Sequence, residues 1–334
     1  TIASSSLEGR QMRRREFVSL LASTAALWPS RASAQVPVVG FVNSSSAQAQ
    51  EAVAAAYRRG LEDSGFIEGK SVLIESRWAN GQYNLLPELV GDLIERKVAV
   101  IMAGGPPAAI AAKKATSTIP VVFTSGDDPV QTGLVSSINR PGGNLTGVYI
   151  FFSDVETKKL GLLRELVPNA ALITALMNPS FPTANNQKQE LHKAADKLGQ
   201  RIQIINASSE PEIDAAFASM KQLQANAVLV AADPFFASRR ELIVSLATKY
   251  AIPAVYEQRS FTAAGGLMSY GTNLPEGYRQ AGIYTGRILK GEKPADLPVV
   301  LSNKFEFVIN LKVAKTLGLT VSANFISTAD EVLD

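Results

Sequence analysis

From Val36 onward the chain alternates short apolar runs with longer amphipathic stretches. The runs 98–101 and 121–123 are continuous and apolar, as expected of strands buried on both faces of a parallel sheet. An Ala-rich segment lies between them. Parallel neighbours need such a crossover, so the unit reads as strand, helix, strand. The same grammar predicts strands at 36–42, 71–78 and 145–150, and helices at 47–64 and 85–96. Pro141-Gly142-Gly143-Asn144 is a turn leading into the last of these strands. About five parallel strands result, forming a doubly wound lobe.

The pattern then restarts. Helices are expected at 155–167, 185–198, 211–222 and 238–250, alternating with strands at 172–177, 202–206, 227–231 and 254–256. A strand at 267–270 and a helix at 276–289 follow, the helix carrying Ala281, Gly282 and Gly286 as sites of close packing. A linker at 294–298 and segments at 305–309 and 311–317 finish the chain. The expected architecture is α/β: two doubly wound parallel-sheet lobes, with a cleft between them.

Composition narrows what such a molecule can do. With 334 residues and 46% apolar content, two packed lobes are affordable. The net charge of +3 comes entirely from residues 1–34, where Arg10, Arg13, Arg14, Arg15 and Arg31 outnumber Glu8 and Glu16. The remainder is neutral, which argues against a nucleic-acid partner. There is no cysteine, and His192, the only histidine, sits among lysines on a polar helix face. Disulfides, thiol catalysis and the common zinc sites are excluded, and no G-x-S-x-G elbow accompanies the histidine. No catalytic residue, metal or cofactor is expected.

Residues 1–34 read as an export leader, with Met12 as a natural start and 1–11 as upstream sequence. Arg13-Arg14-Arg15 opens a basic region, 17–27 is apolar, and Ala32-Ser33-Ala34 fits a cleavage site. Arg14-Arg15-Glu16-Phe17 also resembles the twin-arginine export motif, with a general secretory signal as the alternative. Either route places the mature protein outside the cytoplasm, in the periplasm.

Several motifs in order carry a family resemblance over 36–334. They include Gly65-Phe66-Ile67-Glu68-Gly69-Lys70, the run from Ile119-Pro120 to Asp128-Pro129, and Arg140-Pro141-Gly142-Gly143-Asn144. Ala232-Asp233-Pro234-Phe235-Phe236, Gly265-Gly266-Leu267-Met268-Ser269-Tyr270-Gly271 and Gly286-Arg287-Ile288-Leu289-Lys290-Gly291 continue the series. The chain resembles periplasmic substrate-binding proteins of ABC transporters with the type I fold, and within them the group that binds aromatic amino acids. The resemblance implies a multi-crossing hinge near Ile150, Ala264 and Val300. One lobe would span 36–149 and 265–299, the other 150–264 and 300–334. It also implies a monomeric receptor whose partners are a small ligand and a membrane permease.

Ligands of open α/β sheets bind where loops leave the carboxyl ends of strands. In the first lobe those loops offer Ser44, Ser45 and Ser46, hydroxyls that could cap a helix or hold an anion. Gly104, Gly105 and Pro106 form a second helix start, where the family often carries serine or threonine at the position of Gly105. Backbone N–H groups would have to replace that hydroxyl. Gly126, Asp127 and Asp128 offer carboxylates to a ligand ammonium, or a cap. From the second lobe come Asn178, Phe181, Asp233, Phe235 and Glu257. Asp233 matches the family's acidic position, expected to pair with an ammonium or to cap a helix. Of Phe151, Phe152, Phe235 and Phe236, one or two are expected to line the cleft, Phe151 and Phe235 first. The function expected is capture of a small amphipathic ligand, an amino acid or an aromatic or organic acid, for an ABC importer. A ligand-sensing subunit for a membrane kinase or chemoreceptor is the alternative with the same fold.

Overall fold

The computed structural model describes residues 36–150 and 155–334. The leader and Phe151 and Phe152 lie outside the described residues. Pro37–Asp334 forms one compact unit.

The first sheet is built from β1 (Val38–Asn43), β2 (Leu73–Trp78), β3 (Val100–Gly104), β4 (Val121–Ser125) and β5 (Leu145–Ile150). Between them run α1 (Glu51–Asp63), α2 (Leu86–Glu95) and α3 (Pro106–Ala115). α4 (Val155–Leu166), β6 (Ile173–Met177), α5 (Ala184–Leu198), β7 (Ile202–Asn206), α6 (Glu210–Gln222) and β8 (Ala227–Val230) follow. Then come α7 (Pro234–Ser238), α8 (Arg240–Lys249), β9 (Ala254–Tyr256), α9 (Arg259–Ala263) and β10 (Met268–Thr272). α10 (Leu274–Leu289), β11 (Val300–Ser302), β12 (Phe305–Asn310), α11 (Leu311–Thr316), α12 (Ala323–Ser327) and β13 (Glu331–Leu333) complete the chain.

Two sheets result. The first has strand order β11-β5-β4-β3-β1-β2 and is parallel throughout. The second has order β13-β12-β10-β9-β8-β6-β7, parallel except where β10 meets β12. β3 and β4 are buried at every residue, as the continuous apolar runs predict for central strands covered on both faces. β2 and β7 stand at sheet edges and keep polar positions. Each sheet carries a hydrophobic core on both faces, so both lobes are doubly wound.

The hinge differs in detail from the sequence expectation. β5 ends at Ile150 in the first sheet, and the next strand, β6, lies in the second. β10 pairs parallel with β9 and antiparallel with β12, so Met268–Thr272 belongs to the second sheet. The return therefore lies at Asn273, not near Ala264. β11 pairs with β5 in the first sheet, which moves the last crossing from Val300 to beyond Ser302. The two connections are tied where Asn273 N–H donates to the carbonyl of Lys304 at 2.8 Å. The helix expected at 238–250 is α8, and a separate single turn, α7, precedes it, the two divided at Arg239 (φ −120°).

α10 packs against α1 on the outer face of the first sheet. The helices meet backbone to backbone: a Cβ at Gly60 would collide with the carbonyl oxygen of Arg279, and one at Gly282 with that of Tyr57. Gly282→Ala is therefore expected to cost about 2–3 kcal/mol of unfolding free energy by forcing the helices apart. Urea denaturation checks this, and an unchanged midpoint would contradict the packing.

Candidate functional site

β1, β3 and β4 deliver their carboxyl ends to one side of the first sheet. β6, β8 and β9 deliver theirs to the facing side of the second. Between them lies a cavity of about 90 Å³, counted over positions open to the centre of a water molecule. A water needs roughly 10–15 Å³ on that measure, so the space suits a small organic molecule.

Three hydrogen-bonded groups close the lobes over this cavity. Tyr83 OH, in the turn before α2, donates to Asp233 Oδ2 at 2.8 Å, and Thr183 Oγ1 donates to Asp127 Oδ2 at 2.8 Å. Ser45 Oγ lies 2.9 Å from Ser238 Oγ, which also accepts from Ser46 N–H at 3.1 Å. A shut two-lobe conformation held by such contacts is one side of an open–closed equilibrium. Tyr83→Phe is expected to remove about 1.5 kcal/mol of closure, roughly tenfold in apparent ligand affinity. Calorimetric titration together with small-angle scattering would show it. Unchanged affinity and radius of gyration would remove the latch role.

Of the residues nominated from sequence, Ser45, Gly104, Gly105, Pro106 and Gly126 line the cavity. Asp127, Phe181, Asp233 and Glu257 do so too. Others stand aside. Ser44 is fully buried, and its Oγ donates to the Gly104 carbonyl and accepts from Ala108 N–H. Ser46 Oγ accepts from Ala49 N–H, and Asp128 Oδ1 accepts from Val130 and Gln131, so both serve local turns. Asn178 is spent on Asp233 and on Ser180 N–H. Phe235 is core, not cleft: its ring packs on Phe236 at 5.7 Å under the Arg239 guanidinium. Phe236 is also wholly buried in that core, because the one-turn α7 tucks both successive rings beneath it. Among the described residues, Phe181 is the phenylalanine that reaches the cavity, edge-on to Tyr83 at 6.2 Å.

Tertiary structure adds residues that sequence reasoning missed. Gln50, Gln187, Gln258 and Tyr278 line the cavity, and Asn43 Nδ2 donates to Tyr278 OH at 3.0 Å. Gln50 lies ahead of α1 and Gln187 within α5, where polar residues read as solvated faces. Tyr278 comes from the crossing helix α10. No local signal marks these positions.

The carboxylates divide into committed and uncommitted groups. Asp233 caps α7: Oδ1 accepts from Phe235 and Phe236 N–H at 2.8 and 3.0 Å, and Oδ2 from Tyr83 OH and Asn178 Nδ2. Those four bonds use the carboxylate's four acceptor sites, leaving none for an ammonium. Burial nevertheless outweighs them and pushes its pKa up to about 6. Asp127 is raised by burial, partly offset by Thr183. Glu257 is different. It is only 9% exposed, borders the cavity, and receives no hydrogen bond from the described residues. Burial pushes its pKa up to about 7; Lys159 opposes this, while Glu156, Asp233 and Asp127 add to it. Lys159 is itself fully buried in α4. Its Nζ lies 2.8 Å from Glu156 Oε1 but too poorly aligned to form a hydrogen bond.

The expected anion-binding start of α3 is not available either. Gly105 (φ +88°) donates its N–H to Thr124 O at 3.1 Å and Oγ1 at 3.2 Å. Pro106 and Pro107 have no N–H, and Ala108 N–H is taken by Ser44. Among the described residues, no group of three or more histidines or acids is arranged to hold a metal ion.

Residues 35–333 match the family model described as ABC transporter substrate binding protein. A curated relative, the tyrosine-binding protein of Clostridioides difficile (strain R20291), is 27% identical over 261 residues, covering 78% of this chain and 75% of its own. The solved structure of an ABC domain in complex with L-Trp from Streptococcus pneumonia superposes with a TM-score of 0.82 at 26% identity, covering 89% of this chain and 99% of that one. The ligand-free, open structure of a substrate binding protein with adhesive properties from Clostridium difficile has the same identity and the same coverage, but a TM-score of 0.63. With identity and coverage equal, the difference matches the shut arrangement of the lobes seen here.

Proposed function

We propose that this chain, which belongs to the ABC transporter substrate binding protein family, is the extracytoplasmic solute receptor of an ABC importer. It captures a small amphipathic ligand, with an ammonium end and an apolar or aromatic body, between its lobes. Amino acids of the kind carried by its relatives are the parent case. The observation that carries this reading is Glu257, a buried carboxylate facing the cavity without a hydrogen-bond donor among the described residues. A charge in that setting needs a counter-charge or donor from elsewhere. Phe181 and Tyr278 supply aromatic wall on which an apolar body can rest.

Closure over the ligand gives a membrane permease a distinct surface to recognise, and binding without turnover is all that the reading requires. Among the described residues no helix is long and apolar enough to cross a membrane. The export signal read at 1–34 accounts for delivery to the periplasm.

Thermal unfolding with a panel of amino acids, amines and aromatic or organic acids tests the proposal. A ligand with micromolar Kd at millimolar concentration stabilises by about 4 kcal/mol. Absence of stabilisation by every panel member would overturn it.

A further inference from the structure

Of the acids that line the cavity, one belongs to the first lobe and two to the second. Asp127 stands in the loop after β4, while Asp233 and Glu257 follow β8 and β9. Asp233 is filled by its four hydrogen bonds. The other two keep open oxygens. Asp127 Oδ2 accepts from Thr183, and Oδ1 accepts from no described residue. Glu257 also accepts from none, and its oxygens are not among the polar atoms sealed off in the core. Since the residue is 9% exposed and borders the cavity, that is the space its carboxylate reaches. Two open carboxylates therefore face one small space from opposite lobes. A volume of about 90 Å³ for water centres would be about 6 Å across if round, so an ammonium anywhere inside it lies in the field of both.

Shutting the lobes brings Asp127 up to Glu257 and Asp233. Like charges drawn into a partly dry space repel more strongly than water would allow. The effect is visible in the shut form, where Asp127 and Asp233 each make Glu257 harder to ionise. No lysine, arginine or histidine lines the cavity among the described residues, and residues 151–154, Phe-Phe-Ser-Asp, supply none. Lys159, whose charge does reach Glu257, lies 2.8 Å from Glu156, whose opposite charge offsets it. Tyr149, near Asp127 and Asp128, adds no cation. The shut form thus carries a repulsion that the open form lacks, and a cation between the acids turns it into attraction. A ligand shifts a conformational equilibrium only through such a difference between the two states.

We infer that Asp127 and Glu257 form a cation clamp with one carboxylate on each lobe, and that the ligand's ammonium is the group that shuts the cleft. The inference rests on the receptor reading above and deepens it. Asp127 becomes a second specificity-determining residue, and charge drives closure.

Titration calorimetry and small-angle scattering on the full chain, stripped of ligand and held at pH 8, decide it. The probes are tryptophan and tyrosine, each paired with its deaminated acid, indole-3-propionate or 4-hydroxyphenylpropionate. Asp127→Asn keeps an oxygen for Thr183 and removes only the charge. Two effects of opposite sign are expected. The variant binds the amino acid about tenfold less tightly, yet binds the deaminated acid no less tightly than the wild type does. Without ligand it is more compact than the wild type, because the repulsion that holds the lobes apart is gone. An Asp127→Asn protein that loses affinity for both members of a pair equally, or for neither, overturns the inference and leaves the receptor standing. So does a ligand-free variant that is no more compact, or a wild type that binds only the deaminated acids. Thr183→Val removes the hydrogen bond and leaves the charge, so it should weaken both members of a pair alike. A Thr183→Val protein that reproduces the Asp127→Asn pattern would also overturn the clamp. Failure of all four probes overturns the clamp, and failure of the wider thermal panel with them overturns both.

Discussion

Glutamine in place of Glu257 is expected to weaken an ammonium-bearing ligand on the order of 50-fold while leaving the ligand-free protein folded. Charge-assisted hydrogen bonds are worth about 1.5–3 kcal/mol, and each 1.4 kcal/mol is a factor of ten. The substitution keeps shape and removes only the charge. Because burial raises the Glu257 pKa from 4.5 to about 7, the folded protein holds this proton where the unfolded chain has released it. Its contribution is therefore fully present below about pH 4.5, declines as pH rises, and is lost above about pH 7, an effect of about 3 kcal/mol. Asp233 adds a slope of the same sign between about pH 3.8 and 6. An ammonium ligand prefers the ionised acid, so its affinity should rise with pH through about 7 and release a proton on binding below that. Calorimetry in buffers of different ionisation enthalpy measures that proton directly. Glu156, Lys159, Asp127 and Asp233 set the baseline field, and Glu257→Gln should flatten the profile. A wild-type affinity that does not change between pH 5.5 and 8 would remove Glu257 from the ammonium site.

Asp233→Ala is expected to lower unfolding free energy by about 3 kcal/mol. It strips the cap from α7, leaving Phe235 and Phe236 N–H without an acceptor, and removes the partner of Tyr83 and Asn178. A lost cap costs about 1 kcal/mol and each buried orphan donor about 1–3, offset by relief of a buried charge. At about 2–4 °C per kcal/mol for a large domain, the midpoint should fall by about 8 °C. Asp233→Asn keeps one oxygen for the cap and turns an N–H₂ toward Tyr83, so it should fall by less than half as much. Because Asp233 closes the lobes as well as capping the helix, both variants should also bind ligand less tightly. A melting curve unmoved by Asp233→Ala would contradict the four-bond assignment.

The alternation of strands and helices was readable because it rests on local chemistry. Strand-length apolar runs such as Val121–Ser125 fall between helix-period segments, and prolines and glycines punctuate them. The elements that escaped are the short ones. β11, β13, α9 and α12 run three or five residues, below the length at which a period shows. The site was legible only as a set of loops. Ser44–Ser46 and Gly104–Pro106 do converge, as strand-end loops of a doubly wound lobe must. Their expected role in holding an anion fails for reasons no local pattern holds. Ser44 spends its hydroxyl 64 residues away on Ala108 N–H, and Ser46 N–H finds its acceptor 192 residues on at Ser238.

By itself the sequence determined two parallel α/β lobes, the absence of thiol and common zinc chemistry, and which loops would meet. Each follows from residue type, spacing and run length, which act over a few positions. Only the tertiary structure decided where the chain crosses between sheets and which of the described phenylalanines reaches the cavity. It alone also decided which of three acids receives no hydrogen bond from the described residues. A hydrogen-bonding group is free or spent according to what lies within about 3 Å of it in space. In this protein those neighbours come from distant parts of the chain and from opposite lobes.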